Sequence, residues 1–269
     1  MIETTSGLGR IAAAFARAKR AGRGTLVPYL CAGDHDRGTS AGLLAAAVAG
    51  GADIVELGIP YGDPLADGPT IAAAAERALA AGTTVEDAIE LAGGVKDAPV
   101  VMFTYLNPIL QFGLERFAAA LARRGIAGAI VPDVPLEESG AIRAAFAPHG
   151  LALPQLVAPT TPPERAIAIS RASEGFTYLV SRLGVTGAAR EPDFAWIASR
   201  VAALREASDT PLAIGFGIAT AAHVRAACSI ADGAIVGSAL IDAYAGSSGD
   251  APARVRAFVA DLARGTAAA

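Results

Sequence analysis

The sequence predicts an α/β protein with a single (β/α)8 TIM barrel over residues 1–269 and an extra helix before the first strand. Eight short apolar runs recur along the chain, and helical patterns lie between them. The runs are mostly apolar on both faces, which is typical of strands in a buried parallel sheet. A length of 269 residues suits one barrel in one domain, although two smaller domains would also fit.

The order of the elements supports this fold. The predicted strands are Thr25–Cys31, Ala52–Leu57, Val100–Phe103, Ala127–Val131, Leu153–Leu156, Phe176–Val180, Leu212–Ile214 and Ala234–Val236. The predicted helices include Leu8–Arg20, Leu114–Arg124, Leu136–Phe146, Pro163–Ala172, Pro192–Ala207, Thr220–Ala227 and Ala251–Arg264. A doubly wound sheet is the alternative, but the Gly-x-Gly-x-x-Gly turn expected after its first strand is absent. We expect Gly265–Ala269 to be a disordered tail.

Composition excludes several classes of protein. Hydrophobic residues make up 53% of the chain, yet no run approaches the roughly 18 uncharged residues of a membrane span. The net charge of −4 does not suit a nucleic-acid surface. Two cysteines imply no disulfide framework, and basic residues interrupt the N-terminal apolar pattern, which argues against a secretory signal. We therefore expect a reducing compartment, the cytoplasm.

Three acids lie in the stretch VELGIPYGDPLADGPT, from Val55 to Thr70. Glu56 is the next-to-last residue of the second predicted strand, where it would be a proton shuttle or a structural partner of an arginine. Asp67 precedes a helix that begins near Thr70, so it is either functional or a helix cap. Asp63 is followed by proline and could be a plain turn residue.

Glycines follow the sixth, seventh and eighth predicted strands, in SRLGVTG, GFGIAT and VGSAL. Gly217 and the pair Gly237-Ser238 each precede a helical segment. Backbone amides at the start of a helix bind phosphate, and glycine lets the anion approach closely. A phosphate site after strands seven and eight recurs in these barrels, so we favour that interpretation over tight turns alone.

The remaining side chains limit the chemistry. The chain has two lysines and three histidines, namely Lys19, Lys96, His35, His149 and His223. Neither lysine is placed for a Schiff base, and the histidines are too scattered for a His-based metal site. Cys31 ends the first strand without a histidine partner, so we interpret it as a small buried hydrophobe. Acid–base catalysis by Glu and Asp without a cofactor remains.

Five motifs resemble the tryptophan synthase alpha subunit family: VELGIPYGDPLADGPTI, YLVSRLGVTG, VPDVPLEES, MFTYLNPI and GFGI…GAIVGSAL. They occur in the family's order and span nearly the whole chain. The resemblance implies a TIM barrel that cleaves indole-3-glycerol phosphate to indole and glyceraldehyde 3-phosphate without a cofactor. It also implies a beta subunit as partner, in a heterotetramer of two alpha and two beta chains, to which the indole is passed.

The resemblance also assigns roles to residues. Glu56 would be the acid–base group, Asp67 would bind the indole N–H, and Tyr178 would line the site near Glu56. Thr186, in the sixth loop, would meet Asp67 when that loop closes. Phosphate contacts would come from Gly187, Gly217, Gly237 and Ser238, and the walls around the substrate from Tyr29, Ile130, Phe216 and Ile235.

The loop around Asp63 would face the beta subunit, together with Asn107-Pro108 and Asp133-Pro135. The family commonly has Ser or Thr in place of Gly62 and threonine in place of Cys31. Two other functions stay open: a standalone lyase that releases indole, and a weakly catalytic barrel that mainly activates a partner. The intact Asp63 loop favours a partner, and the presence of both Glu56 and Asp67 argues against the weakly catalytic barrel.

Overall fold

A computed structural model describes residues 5–181, 193–246 and 250–267. Its eight strands are parallel, and each overlaps one of the predicted strands. The strands are β1 (Thr25–Cys31), β2 (Val55–Gly58), β3 (Val100–Phe103), β4 (Gly128–Ile130), β5 (Gln155–Val157), β6 (Thr177–Val180), β7 (Leu212–Gly215) and β8 (Gly233–Val236).

The strand order identifies a barrel. The strands run β4-β3-β2-β1-β8-β7-β6-β5, so β4 and β5 are the two ends of the sheet. An isolated parallel bridge between Gly128 and Ala152 joins these ends. There, the Ala129 N–H donates to the Ala152 carbonyl over 3.0 Å, and the Ala152 N–H donates to the Ala127 carbonyl over 2.9 Å. A doubly wound sheet would leave both edges open, so the alternative fold is wrong.

Helices surround the strands in the order expected of β/α units. The described residues form α1 (Gly7–Arg20), α2 (Arg37–Ala49), α3 (Pro69–Ala80), α4 (Val85–Gly94), α5 (Leu106–Phe112), α6 (Leu114–Arg123), α7 (Gly140–Phe146), α8 (Pro163–Ala172), α9 (Phe194–Ala207), α10 (Ala221–Ile230), α11 (Ser238–Ala245) and α12 (Ala251–Arg264). The extra helix before the first strand is confirmed as α1. In the described residues, no helix has both the length and the apolar character needed to cross a membrane.

Two helix starts differ in detail from the prediction. The predicted helix Leu136–Phe146 begins as a 3-10 turn, and α7 follows only after Ser139, whose hydroxyl donates to the Leu136 carbonyl over 2.7 Å. The predicted start at Pro192 lies outside the described residues. The Asp193 side chain instead accepts from the Trp196 N–H and caps α9.

The tail from Gly265 to Ala267 is ordered, so the predicted disorder is wrong for these residues. Thr266 is buried, and its carbonyl accepts from the Gly24 N–H over 2.9 Å. Ala267 forms an antiparallel bridge with Arg23. The tail therefore packs at the amino end of β1, where these backbone contacts replace contacts with water.

Candidate active site

A narrow cavity opens at the carboxyl ends of the strands. Only about 30 Å³ of it admits water, the space of about one molecule. Aromatic and branched side chains close around it. Its lining comprises Tyr29, Glu56, Asp67, Ile71, Phe103, Tyr178, Phe216, Gly217, Ile218, Ile235, Gly237 and Ser238.

Glu56 lies in β2, where its neighbours in the parallel ladder are Tyr29 of β1 and Val101 of β3. Its side chain is 2% exposed, and its Oε2 has no hydrogen-bond partner in the described part of the chain. Burial, together with the nearby charge of Asp67, raises the pKa of Glu56 to about 8. A structural ion pair would lower that pKa. Glu56 therefore has the environment of a proton donor, not that of an ion-paired glutamate.

Asp67 is not a helix cap. The residue that caps α3 is Gly68, which makes no side-chain capping bond. The carboxylate of Asp67 instead accepts a hydrogen bond from the Tyr105 hydroxyl, whose oxygen accepts from the Ala66 N–H over 3.0 Å. Burial raises the pKa of Asp67 to about 6, and the Tyr105 hydrogen bond limits that rise.

The two acids take different protonation states near neutral pH. With a pKa of about 6, Asp67 is mainly ionised at pH 7, whereas Glu56, with a pKa of about 8, is mainly protonated. Each of the two shifts has burial as its largest cause, but Glu56 lacks the hydrogen bond that Asp67 receives. Two neighbouring carboxyl groups with separated pKa values can serve as a proton donor and a negative charge in one site.

Two tyrosines lie against glycines on the neighbouring strands, Tyr29 against Gly58 and Tyr178 against Gly215. A Cβ added at Gly58 would lie 2.7 Å from Cζ of Tyr29, and one added at Gly215 would lie 2.6 Å from Cε1 of Tyr178. Either strand therefore needs glycine to make room for the ring. The Tyr178 ring also packs edge-on against Phe216, with centroids 5.8 Å apart. These contacts fix two walls of the cavity.

Three of the four expected phosphate residues, Gly217, Gly237 and Ser238, line the cavity, whereas Gly187 lies outside the described residues. Phe216 and Gly217 have φ values of 69° and 87°, so the chain turns sharply after β7. The Ser181 hydroxyl donates to the Phe216 carbonyl and holds this turn. Gly237 immediately precedes α11, whose first residue is Ser238. Backbone N–H groups at a turn and a helix start are suited to an anion.

The other predicted residues divide into three groups. Tyr29, Tyr178, Phe216 and Ile235 all line the cavity. Ile130 is buried at the end of β4 but is not among the lining residues, whereas its ladder neighbour Phe103 is. Thr186 and Gly187 lie outside the described residues.

Sequence reasoning missed Tyr105, Phe103, Ile71 and Ile218. Phe103 and Tyr105 belong to the MFTYLNPI motif at the end of the third strand, so their position at the barrel mouth was an available signal. The described residues contain no group of three His, Cys, Asp or Glu side chains that could hold a metal ion. Cys31 is buried as expected, and burial raises the pKa of its thiol.

An eight-stranded parallel barrel whose cavity is lined by two buried carboxyl groups of different pKa, beside a turn and a helix start that are suited to an anion, has the features of an acid–base enzyme. The family model described as tryptophan synthase alpha chain matches residues 15–266. The chain therefore belongs to the tryptophan synthase alpha chain family. It is a carbon–carbon lyase that cleaves indole-3-glycerol phosphate.

Individual relatives agree with this assignment. A tryptophan synthase alpha chain of Synechococcus sp. (strain CC9902) is 48% identical over 257 residues, which cover 94% of this chain and 95% of the relative. A tryptophan synthase structure from Mycobacterium tuberculosis matches with a TM-score of 0.90 and 37% identity, covering 97% and 99% of the two chains. The alpha chain from Legionella pneumophila subsp. pneumophila matches with a TM-score of 0.83 and 31% identity, covering 95% and 96%. The predicted fold and family are confirmed.

Proposed function

We propose that Glu56 and Asp67 carry the cleavage of indole-3-glycerol phosphate in this chain. The observation that supports this most directly is the buried Glu56 Oε2, which lacks a partner among the described residues and lines the same cavity as Asp67. An unsatisfied buried carboxyl group costs stability. Its retention is explained if the substrate supplies the missing partner.

Protonation of the indole ring comes first in the proposed reaction. The carboxylic acid of Glu56 gives its proton to C3 of the indole, and a ring π-electron pair forms the new C–H bond. Positive charge develops at the ring nitrogen, where the Asp67 carboxylate accepts a hydrogen bond from the N–H. Because this charge appears only as C3 is protonated, Asp67 stabilises the transition state more than the bound substrate.

Cleavage of the carbon–carbon bond follows. The Glu56 carboxylate takes the proton from the glycerol hydroxyl next to the ring, and the O–H electron pair forms the aldehyde C=O. The bond between this carbon and C3 breaks, and its electrons restore the neutral indole. Glu56 is protonated again at the end of the cycle, so no external acid or base is consumed.

The phosphate group belongs at the corner formed by Gly217, Gly237 and Ser238, which supply backbone N–H groups and one hydroxyl. Gly187 and Thr186 are expected to contribute from the sixth loop. In this proposal the indole is enclosed by Tyr178, Phe216, Tyr29 and Ile235, together with Phe103 and Ile71, which line the same cavity. Since the cavity admits about one water molecule, these side chains must separate when substrate enters.

A beta subunit is the proposed partner, in a heterotetramer of two alpha and two beta chains that receives the indole in the cytoplasm. Contacts among the three expected partner segments support this. Asn107 donates to the Tyr61 hydroxyl over 3.2 Å, and the Leu106 N–H donates to both carboxylate oxygens of Asp133 over 3.0 and 3.1 Å. Leu65 and Leu110, which are 70% and 57% exposed, give this face an apolar component.

Steady-state indole formation by the purified chain, alone and with a beta subunit, tests both parts of the proposal. We expect Asp67→Asn to lower kcat by about 100-fold, in the range of lost transition-state charge stabilisation, and to weaken indole binding. Unchanged kinetics would exclude Asp67 from the reaction. We expect the beta subunit to raise kcat and to co-elute with the chain. Equal activity with and without it, and no co-elution, would indicate a standalone lyase.

A further inference from the structure

A buried polar cluster lies beside the active site but does not line its cavity. Asp34 follows β1 and is fully buried. Its Oδ1 is 2.7 Å from Nε of Arg77, and its Oδ2 is 2.9 Å from Nη2 of the same side chain. The Tyr244 hydroxyl also donates to Oδ2 over 2.9 Å. His35 Nδ1 lies 3.3 Å from Oδ1.

The cluster joins two helices that reach the active site. Arg77 belongs to α3, which begins two residues after Asp67, and Tyr244 belongs to α11, which begins at the proposed phosphate corner. The first turns of both helices contribute lining residues, Ile71 from α3 and Ser238 from α11. Asp34 therefore connects α3, which begins just after Asp67, with α11, which begins at the proposed phosphate corner.

Contacts between α3 and α11 continue along their length. At the cavity, a Cβ added at Gly237 would lie 3.6 Å from Cδ1 of Ile71, so the starts of α3 and α11 are in close contact there. Thr70 Oγ1 lies 3.1 Å from Oδ1 of Asp242. Arg77 and Tyr244, which meet at Asp34, belong to later turns of the same two helices.

We propose that Asp34 is a positioning residue that sets the separation between Asp67 and the phosphate corner through Arg77 and Tyr244. The proposal rests on the function proposed above for those two parts of the site. A fully buried carboxylate needs its hydrogen-bond donors in place, because leaving it partly unsatisfied is costly. Only a narrow range of positions of α3 relative to α11 meets that condition. Misplacement of a catalytic group by about 1 Å can cost about 100-fold in rate.

Ligands that span both ends of the site distinguish positioning from general stability. Indole and glycerol phosphate each occupy one end, whereas indole with a three-carbon alkyl phosphate at C3 occupies both and cannot be cleaved. A linked ligand gains from a matched separation of its two subsites, and the separate fragments do not. Its affinity relative to the fragments therefore reports the separation of the two subsites.

Tyr244→Phe is the most selective variant, because it removes one hydroxyl and keeps the ring and the Asp34–Arg77 ion pair. We expect fragment affinities within about twofold of the wild type, a loss of about five- to tenfold in affinity for the linked ligand, and a similar fall in kcat with a smaller change in KM. Isothermal titration calorimetry and steady-state kinetics measure these quantities. Arg77→Lys, which keeps the charge but loses the two-pronged contact, should behave in the same way.

Asp53→Asn is the matched control. Asp53 is also buried and accepts from two nitrogens of one arginine, Arg23, over 2.6 and 2.7 Å, but it lies at the opposite end of the barrel. It should keep the wild-type ratio between linked-ligand and fragment affinities. The proposal is overturned if Tyr244→Phe keeps that ratio too, or if it weakens fragments and linked ligand equally.

Failure of the proposed function would give a different result. If Asp67→Asn bound indole as the wild type does, the assignment of Asp67 would fail. Selective loss of the linked ligand in Tyr244→Phe would still show that the cluster sets the geometry of the two subsites. A folded Tyr244→Phe protein, checked by circular dichroism, is sufficient for this test even if Asp34→Asn does not fold.

Discussion

Two buried acids three residues apart, Asp53 and Glu56, have opposite surroundings. They are 5% and 2% exposed. Asp53 accepts hydrogen bonds from Arg23 and from the Leu26 N–H, whereas Oε2 of Glu56 has no partner among the described residues. Burial is common to both, so burial does not separate the structural carboxylate of Asp53 from the proposed catalytic group of Glu56. The missing hydrogen-bond partner of Glu56 Oε2, in the part of the chain that the structure describes, separates them.

Position in the barrel explains the difference. Asp53 precedes β2 at the amino end of the barrel, where Arg23, which precedes β1, pairs with it. Glu56 lies within β2 and lines the cavity at the carboxyl end among tyrosines and apolar side chains. The amino end of such a barrel serves stability and the carboxyl end serves chemistry. The unsatisfied Glu56 is a local cost in stability that the proposed reaction requires.

Glu56→Gln should produce the largest effect on activity. We expect kcat to fall by about 1,000-fold, because general acid–base groups contribute about 100- to 10,000-fold. Glutamine keeps the size of the side chain, so binding of glycerol phosphate should stay within about twofold of the wild type. Steady-state indole release and calorimetric titration measure the two quantities. Near-normal turnover would show that Glu56 does not transfer the proton.

The same variant should not lose stability. Because burial raises the pKa of Glu56 in the folded protein from its ordinary value of 4.5 to about 8, the unfolded wild type ionises Glu56 between these two pH values while the folded protein keeps it protonated, so wild-type stability falls across this interval. Glutamine cannot ionise, so the free energy of unfolding of the variant relative to the wild type should increase across this interval. Urea unfolding at several pH values measures this difference. A difference in the free energy of unfolding that stays constant between pH 4.5 and 8 would show that the pKa of Glu56 is not raised in the folded protein.

The pH dependence of the wild type tests the assignment of acid and base. Asp67 must be ionised, so kcat/KM should rise up to about pH 6; Glu56 must be protonated, so it should fall above about pH 8. Each limb should approach tenfold per pH unit. In Glu56→Gln the residual activity should lose the alkaline limb and keep the acid one. An unchanged alkaline limb in that variant would assign it to another group.

Asp53→Asn should have the opposite pattern to Glu56→Gln. We expect the free energy of unfolding to fall by about 2 kcal/mol, within the range for hydrogen bonds to charged groups. The loss is moderated because the Arg23 side chain is 31% exposed and can regain water. The kcat should stay within about twofold of the wild type, since Asp53 contacts no part of the cavity. A large fall in kcat without loss of stability would contradict the structural role.

The sequence predicts the surroundings of Glu56 better than those of Asp53. The second apolar run predicts a strand that contains Glu56, although the observed β2 begins three residues later than predicted and has Glu56 as its second residue, not its next-to-last. The glycines after β7 and β8 predict the proposed anion corner. The Arg23–Asp53 pair was not predicted, because it joins residues 30 positions apart whose contact depends on the closed barrel. Tyr105 was missed for a related reason: its hydroxyl reaches Asp67 and Ala66 from a different loop.

The ordered tail shows the same limit. Its small residues and terminal position predict disorder, but backbone hydrogen bonds to residues 23 and 24 hold it in place. Single-residue properties do not contain that information. Ile130 is a milder case: its strand was predicted correctly, yet it is the neighbouring Phe103 that lines the cavity.

Gly62→Ser should have the smallest effect, and it compares how the backbone holds the two acids proposed to be catalytic. Glu56 is held by a strand, whereas Asp67 follows an exposed turn that contains Gly62. A Cβ added at Gly62 would lie no closer than 3.8 Å to another group, Cδ1 of Leu79, and the φ of Gly62 is not in the left-handed region. Serine can therefore occupy this position without strain.

Serine restricts the backbone more than glycine, by at most about 1 kcal/mol. If this stiffening helps to order Asp67 in the free chain, kcat should rise by no more than roughly fivefold, and activation by a beta subunit should shrink by the same factor. Measuring kcat of both variants with and without the beta subunit tests this. Gly82→Ala is the control for a glycine substitution, because Gly82 lies in the turn after α3. It should strain the backbone, since φ there is 81°, without changing the response to the beta subunit. Lower activity of a folded Gly62→Ser chain would show that the turn requires the flexibility of glycine for catalysis.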